Sequence, residues 1–267
     1  MLDSVSIQRS IGVAEVGLDR GRVTGLRQSG SAKVLLPRSY GARPEIVFLN
    51  TSGGLTAGDR LNYRVDLAAG TAALATTQTA ERAYRAEGGA AHARVALSLG
   101  QGAQLDWLPQ ETILFDGAAL VRETGVDLAP DARFLGIETL ILGRAASGEV
   151  LRRQALRDTR RIRRDGRLLL VDPVHIDGGV LARAAGAAVL NGAKALATLV
   201  LAEGGAEDAL AALRAELDEP GVTSAASARP GLVVVRCLSA DGWPLRRQLT
   251  RLIARLRPGG LPRVWQS

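Results

Sequence analysis

With 267 residues, 46% of them apolar but only 3% aromatic, the chain can bury a sizeable core of Val, Leu, Ile and Ala, and one domain over 1–267 is expected. Its net charge of +7 favours acidic partners without naming one. A basic n-region with an apolar stretch behind it, and any run of about 18 apolar residues, are both missing, which argues against a signal peptide or membrane span and for a cytoplasmic protein. The lone cysteine, Cys237, excludes an internal disulfide.

From the start to near residue 175 the apolar pattern has period two, the mark of strands with one buried face. Glu45–Leu49 forms an apolar run expected to be a strand buried on both faces, as do Leu168–Val171 and Leu232–Val235. In 50–60, NTSGGLTAGDR, the glycines invite comparison with a phosphate loop, but the Gly-Lys-Ser/Thr ending is missing and no helical pattern follows. Val95, Leu97 and Leu99 alternate with polar or small residues, Gly100-Gln101-Gly102 follows, and Ala103, Leu105 and Trp107 resume, as a hairpin or a solenoid corner would. A repeat of about 30 residues links Val65-x-Leu67 with Thr71, Leu97-x-Leu99 with Ala103, and Val126-x-Leu128 with Ala132, which hints at stacked β-coils, although a β-sandwich alternates similarly.

Eight arginines crowd LRRQALRDTRRIRRDGR at 151–167. A solvated hairpin rim and a docking face for a protein are both compatible with them, whereas the aromatic interleaving of a single-strand groove is absent. Residues 178–201 are Ala-rich and ambiguous. In the C-terminal third, Leu210, Leu213 and Leu217 share one helical face before Pro220-Gly221. A second helix is expected from about Trp243 to Arg257, with Pro244 in its first turn and a stop at Pro258-Gly259-Gly260.

Catalytic signatures are scarce. The chain has two histidines, His92 and His175, and neither HExxH, CxxC nor GxSxG occurs. Asp172, His175 and Asp177 could bind a transition metal and support a metal-dependent hydrolase, or serve turns. The arginine cluster leaves an arginine-rich nucleic-acid-binding module as a further alternative.

The motifs say more together. Asn50-Thr51-Ser52-Gly53-Gly54-Leu55-Thr56-Ala57-Gly58-Asp59 is followed by Thr76-Thr77-Gln78-Thr79 with Tyr84-Arg85, and by Trp107-Leu108-Pro109-Gln110-Glu111-Thr112-Ile113-Leu114-Phe115. Glu138 with Leu142-Gly143-Arg144, Gly148-Glu149, Arg164-Asp165-Gly166-Arg167, Gly231-Leu232-Val233-Val234-Val235-Arg236 and Pro262-Arg263-Val264-Trp265 continue the series. In order and spacing these resemble the UreD (UreH) family of urease accessory proteins, from about residue 10 to the end.

The resemblance implies a mainly β fold of helical, solenoid-like stacked coils with a few α-helices in the C-terminal third. It implies a maturation scaffold without its own catalytic centre, needed for GTP-dependent nickel insertion into apo-urease. Its partners would be UreF, the GTPase UreG through UreF, and apo-urease, with UreE as nickel source and no nucleic acid or membrane. No cofactor would be tightly bound, and nickel would pass transiently. Asp59, Glu111 and Glu138, acidic and in or beside family motifs, are the expected pathway residues. Each has an ordinary alternative: Asp59 capping the Gly58 turn, Glu111 satisfying buried backbone donors, Glu138 pairing with Arg144. Arg152, Arg153, Arg160, Arg161, Arg163 and Arg164 are the expected docking residues.

Overall fold

The computed structural model describes residues 9–38, 43–144, 147–257 and 259–265. Pro258, placed in the expected helix stop, lies outside them.

Two sheets face each other. The first holds β1 (Ile11–Asp19), β2 (Arg22–Gly30), β5 (Arg60–Leu67), β8 (Ala91–Leu99), β11 (Ala119–Leu128), β13 (Ala155–Arg164) and β14 (Arg167–Asp177), in the order β14-β13-β11-β8-β5-β1-β2. Neighbours from β1 to β13 are parallel, and β2 and β14 close the edges antiparallel. The second holds β3 (Ala32–Leu35), β4 (Glu45–Asn50), β6 (Ala72–Thr77), β9 (Gln104–Trp107), β12 (Arg133–Leu142), β15 (Ala195–Ala202), β16 (Val222–Arg229) and β17 (Leu232–Ser239), in the order β16-β17-β15-β12-β9-β6-β4-β3. Two short strands, β7 (Glu81–Ala83) and β10 (Thr112–Leu114), pair with each other, and β10 pairs with the second half of β12.

The chain therefore winds from one sheet to the other, making a β-solenoid of about four turns. The expected repeat is its period. Val65 is opposite Leu97 and Leu97 opposite Val126, with Val16 and Ile162 extending the row on either side. All five are at most 2% exposed, and burying each contributes about 1.5–3 kcal/mol. The third member of each repeat unit closes the same turn: Thr71 N donates to Ala68 O, Ala103 N to Gly100 O and Ala132 N to Ala129 O, at 3.2, 3.0 and 3.1 Å. Gly100-Gln101-Gly102 is thus a solenoid corner and not a hairpin, because β9 joins the opposite sheet.

Among the described residues three helices follow the coils: α1 (Gly178–Ala182), α2 (Leu210–Ala215) and α3 (Gly242–Leu256). The first expected C-terminal helix is shorter than its leucine stripe, a 3-10 turn over Ala206–Ala209 preceding α2. Buried Leu245, Leu249, Leu252 and Ile253 of α3 pack with Leu199, Val233 and Val235 into a second core on the outer side of the second sheet. The two-sided burial expected for Glu45–Leu49 and Leu232–Val235 holds over most of both segments. It fails for Leu168–Val171, since β14 is an edge strand and leaves Leu168 and Val171 exposed. Among the described residues no helix is long and apolar enough to cross a membrane.

Candidate functional site

Alternation along a strand places every second side chain inside the coil. In the early coils those positions are apolar; in the later ones they become charged. The row Leu61, Ala93, Arg122, Asp158 shows the change, and so does the row Tyr63, Val95, Thr124, Arg160. Facing them, Glu138 on β12 is opposite Thr198 on β15, which is opposite Arg236 on β17. The interior thus gathers a chain of alternating charge.

At its deep end Arg122 donates to both oxygens of Asp158, at 3.1 and 2.6 Å, and to Thr112 Oγ1 at 2.9 Å. Its Nη1 also lies 2.9 Å from Glu138 Oε2, while Trp107 Nε1 donates to Glu138 Oε1 at 3.3 Å. Further out, Arg160 Nη2 is 2.7 Å and Arg236 Nη2 2.5 Å from the carboxylate of Asp172. Asp158 and Asp172 are each 1% exposed, so their charges depend on these partners.

The two carboxyls on Arg122 are driven apart. Burial pushes Glu138 above its ordinary value; Arg122 opposes this and Asp158 adds to it. Burial acts upward on Asp158 too, but the charge and hydrogen bonds of Arg122 and the charge of Arg160 outweigh it and hold the group low. The surroundings therefore favour the ionised form of Asp158 and disfavour that of Glu138. Nearby Glu81 is pushed up to about 7 by burial, against hydrogen bonds from Asn50 and the Arg82 backbone.

Three cavities meet at Glu138. One of about 20 Å³ lies between Trp107, Thr124, Arg160 and Thr198. Another of about 140 Å³ extends past Asp158 and Arg160 to Arg236, whose side chain is 54% exposed. A third of about 50 Å³ runs from Arg122 to Glu81, Thr77 and Gln110. Thr124 Oγ1 and Arg160 Nε line this space without a hydrogen-bond partner among the described residues, and cavities of this size and polarity admit water.

Of the three acidic residues expected along a pathway, only Glu138 lines these cavities. Its partner is Arg122; Arg144 instead pairs with Glu149 at 3.2 Å and covers the ring of Phe115. Asp59 is buried and accepts from Ser10 N at 2.7 Å and Thr56 N at 2.8 Å, fastening the loop before β5. Glu111 lies elsewhere, 3.6 Å from Arg246 beside a cavity of about 280 Å³ under α3. Among the described residues no three His, Cys, Asp or Glu gather closely enough to hold a metal ion. Asp172 faces inward while His175 faces out, and Asp177 caps α1 through Val180 N at 2.9 Å, so those three do not form a hydrolase centre. Cys237 is buried against the helices, and burial pushes its thiol upward.

The arginine segment divides. Arg152 and Arg153 are exposed and fixed through their backbone N–H groups to Asp116 Oδ1, at 2.7 and 3.0 Å. Arg164 donates to Pro130 O and Ala132 O, each at 3.3 Å. Arg161 and Arg163 lie half-buried on the outer face, and Arg160 lies inside. Sequence reasoning overlooked Arg122 and Asp158. Strand parity carried the signal, since each shares the inward phase of buried leucines, Leu120 and Leu156.

The WLPQET segment, residues 107–112, contacts both the charged interior and the C-terminal residues. It is the corner between β9 and β10, with Trp107 at Glu138, Thr112 at Arg122, Leu108 O accepting from Thr76 Oγ1 at 2.6 Å and Trp265 Nε1 at 3.0 Å, and Gln110 donating to Val264 O at 2.8 Å. One segment thus joins the charged interior to the C-terminus.

Residues 10–266 match the family model described as UreD urease accessory protein. A protein of Cereibacter sphaeroides named urease accessory protein UreD is 58% identical over 265 residues, 98% of this chain and 96% of its own length. Its namesake in Paracoccus denitrificans is 55% identical across 100% of this chain and 96% of its own length, and that of Jannaschia sp. is 49% identical across the full length of both. Coiled architecture, motif order and full-length similarity agree: the chain belongs to the UreD family of urease accessory proteins.

Proposed function

We propose that this chain is a cytoplasmic, non-catalytic scaffold of urease maturation that conducts nickel toward apo-urease. It acts with UreF and, through UreF, with UreG, whose GTP hydrolysis accompanies insertion; UreE supplies the ion. The observation that carries this reading is the set of cavities meeting at Glu138, strung from Glu81 to Arg236 through the interior. Beside Arg122, Arg160 and Arg236, the lining offers carboxylate, hydroxyl and backbone oxygen and no histidine; Cys237 borders the second cavity, but its side chain packs in the core under the helices, where burial keeps the thiol protonated. Such hard oxygen ligands hold nickel weakly. Weak, exchangeable contacts suit a conduit, because tight binding would stop transit. A cation arriving at Glu138 would meet a carboxyl whose ionised form burial disfavours and which shares Arg122 with Asp158, so it would be held weakly.

The test is co-expression of urease with its accessory proteins, with and without this chain, followed by nickel content and activity of the purified urease. Without the chain, nickel per active site falls to the background of unassisted loading. Fully loaded urease in its absence overturns the proposal.

A further inference from the structure

The outer surface of the first sheet, facing away from the cavities, has its own chemistry. Both histidines lie on one row of strand partners that crosses it from β1 to β14: Ile11, Arg60, His92, Val121, Arg157 and His175. Arg94, Arg161 and Arg163 stand on the adjoining outward rows. None of these five arginines forms an ion pair among the described residues, and on the outward positions of the strands that carry them, β5, β8, β11 and β13, Glu123 and Asp127 are the carboxylates without an ion pair among the described residues. Strands about 4.8 Å apart keep the guanidinium groups close.

The relief of this face is equally specific. Ala96 and Gly125 are strand partners at its centre, between Arg64 and Arg161, and make a low floor with an arginine rim. Beside it Arg60, Asn62, His92, Arg94, Val121 and Glu123 enclose a hollow of about 400 Å³. There two guanidinium groups, an amide and an imidazole outnumber the single carboxylate, Glu123, a set of donors suited to one acidic side chain. No aromatic side chain points outward from these strands among the described residues, so the stacking platforms of a single-strand nucleic-acid surface are missing. Interspersed Glu123 and Asp127 would repel a continuous phosphate backbone, whereas a protein can place basic groups opposite them.

We propose that this face docks an acidic protein surface, with an Asp or Glu side chain of the partner seated in the hollow between Arg60, His92 and Arg94. The inference rests on the reading of the chain as a maturation scaffold, which supplies the two probes, purified apo-urease and purified UreF. Flatness and unpaired charge together are what such an interface needs: the charges provide steering and orientation, and the low floor allows close contact.

Two variants test it. R94E/R157E/R161E reverses outward charges that form no ion pair among the described residues, and Gly125→Trp raises the floor at a position where an added Cβ would meet nothing within 4 Å. Both keep the wild-type thermal midpoint. Affinity for apo-urease, UreF and a 20-mer of single-stranded DNA is measured by biolayer interferometry at 50 and 300 mM salt. At 50 mM salt, both variants bind at least one protein probe tenfold or more weakly than wild type, and higher salt narrows the gap for the charge-reversed protein. The inference is overturned when both variants keep wild-type affinity for both proteins, or when the loss appears with DNA alone. Nickel loading that needs the chain, together with unchanged binding by the variants, would remove this docking face and leave the scaffold reading standing.

Discussion

Arg122 is the residue on which the interior is balanced, since it holds Asp158 bidentately and reaches Glu138 and Thr112 as well. Arg122→Ala strands two buried carboxylates and is expected to cost about 3–5 kcal/mol, read as a lower urea midpoint. Glu138→Gln leaves the Arg122–Asp158 pair intact, so stability changes by no more than about 1 kcal/mol. If nickel crosses at Glu138, urease matured with Glu138→Gln carries severalfold less nickel while the complex still co-purifies; unchanged loading removes Glu138 from the route. Glu81 makes a pH prediction. Its folded value of about 7 lies above its unfolded one, so its contribution is complete below about pH 4.5 and is lost as pH rises through 7. Glu81→Gln should therefore flatten the fall in unfolding free energy between pH 5 and 8, and an unchanged slope would contradict that assignment.

At the scale of elements, parity and corners govern which groups meet. The hairpin of β13 and β14 turns at Asp165-Gly166, with φ of 50° and 71°, the left-handed pair that a two-residue hairpin loop requires. Gly54, at φ 155°, lets the Tyr84 ring occupy the space where a Cβ would stand, so the motif glycine seats the aromatic. Helix α3 is locked to the second sheet by Asp106, fully buried and within 3.0 Å of Arg43, 2.8 Å of Arg133 and 2.7 Å of Arg257. Replacing it with alanine leaves a cluster of buried positive charge beside the helix end. Asp106→Ala should lower stability by about 3–5 kcal/mol, and hydrogen exchange should show α3 opening before the coils; uniform protection across both would argue against the clamp.

Across the whole molecule the solenoid keeps two surfaces separate. The inward rows carry the cavities and the outward rows the unpaired arginines, because alternation assigns neighbouring residues of one strand to opposite sides. Leu97→Ala, in the middle of the shared apolar row, should cost about 2–5 kcal/mol. Coupled stacking of the coils predicts one cooperative thermal transition for this variant. Two separate transitions would mean that the coils unfold independently.

Much of this was legible without coordinates. Period-two alternation and the recurrence of Val65, Leu97 and Val126 narrowed the fold to stacked β-coils or a sandwich, and the ordered motifs, through the urease accessory family they resemble, pointed to the coils, because all of these are written in local spacing. The stripe of α3 was equally plain, since helical periodicity needs only neighbours in sequence. Leu168–Val171 read as interior because its apolar run carries no sign of being at an edge. Only the tertiary structure decided that Glu138 meets Arg122 and not Arg144, that Asp59 fastens a loop, and that Arg160 lies inside while Arg161 lies on the outer face. Those outcomes depend on the register between coils, which brings together side chains far apart along the chain, and on burial, which decides what each charge must find as its partner.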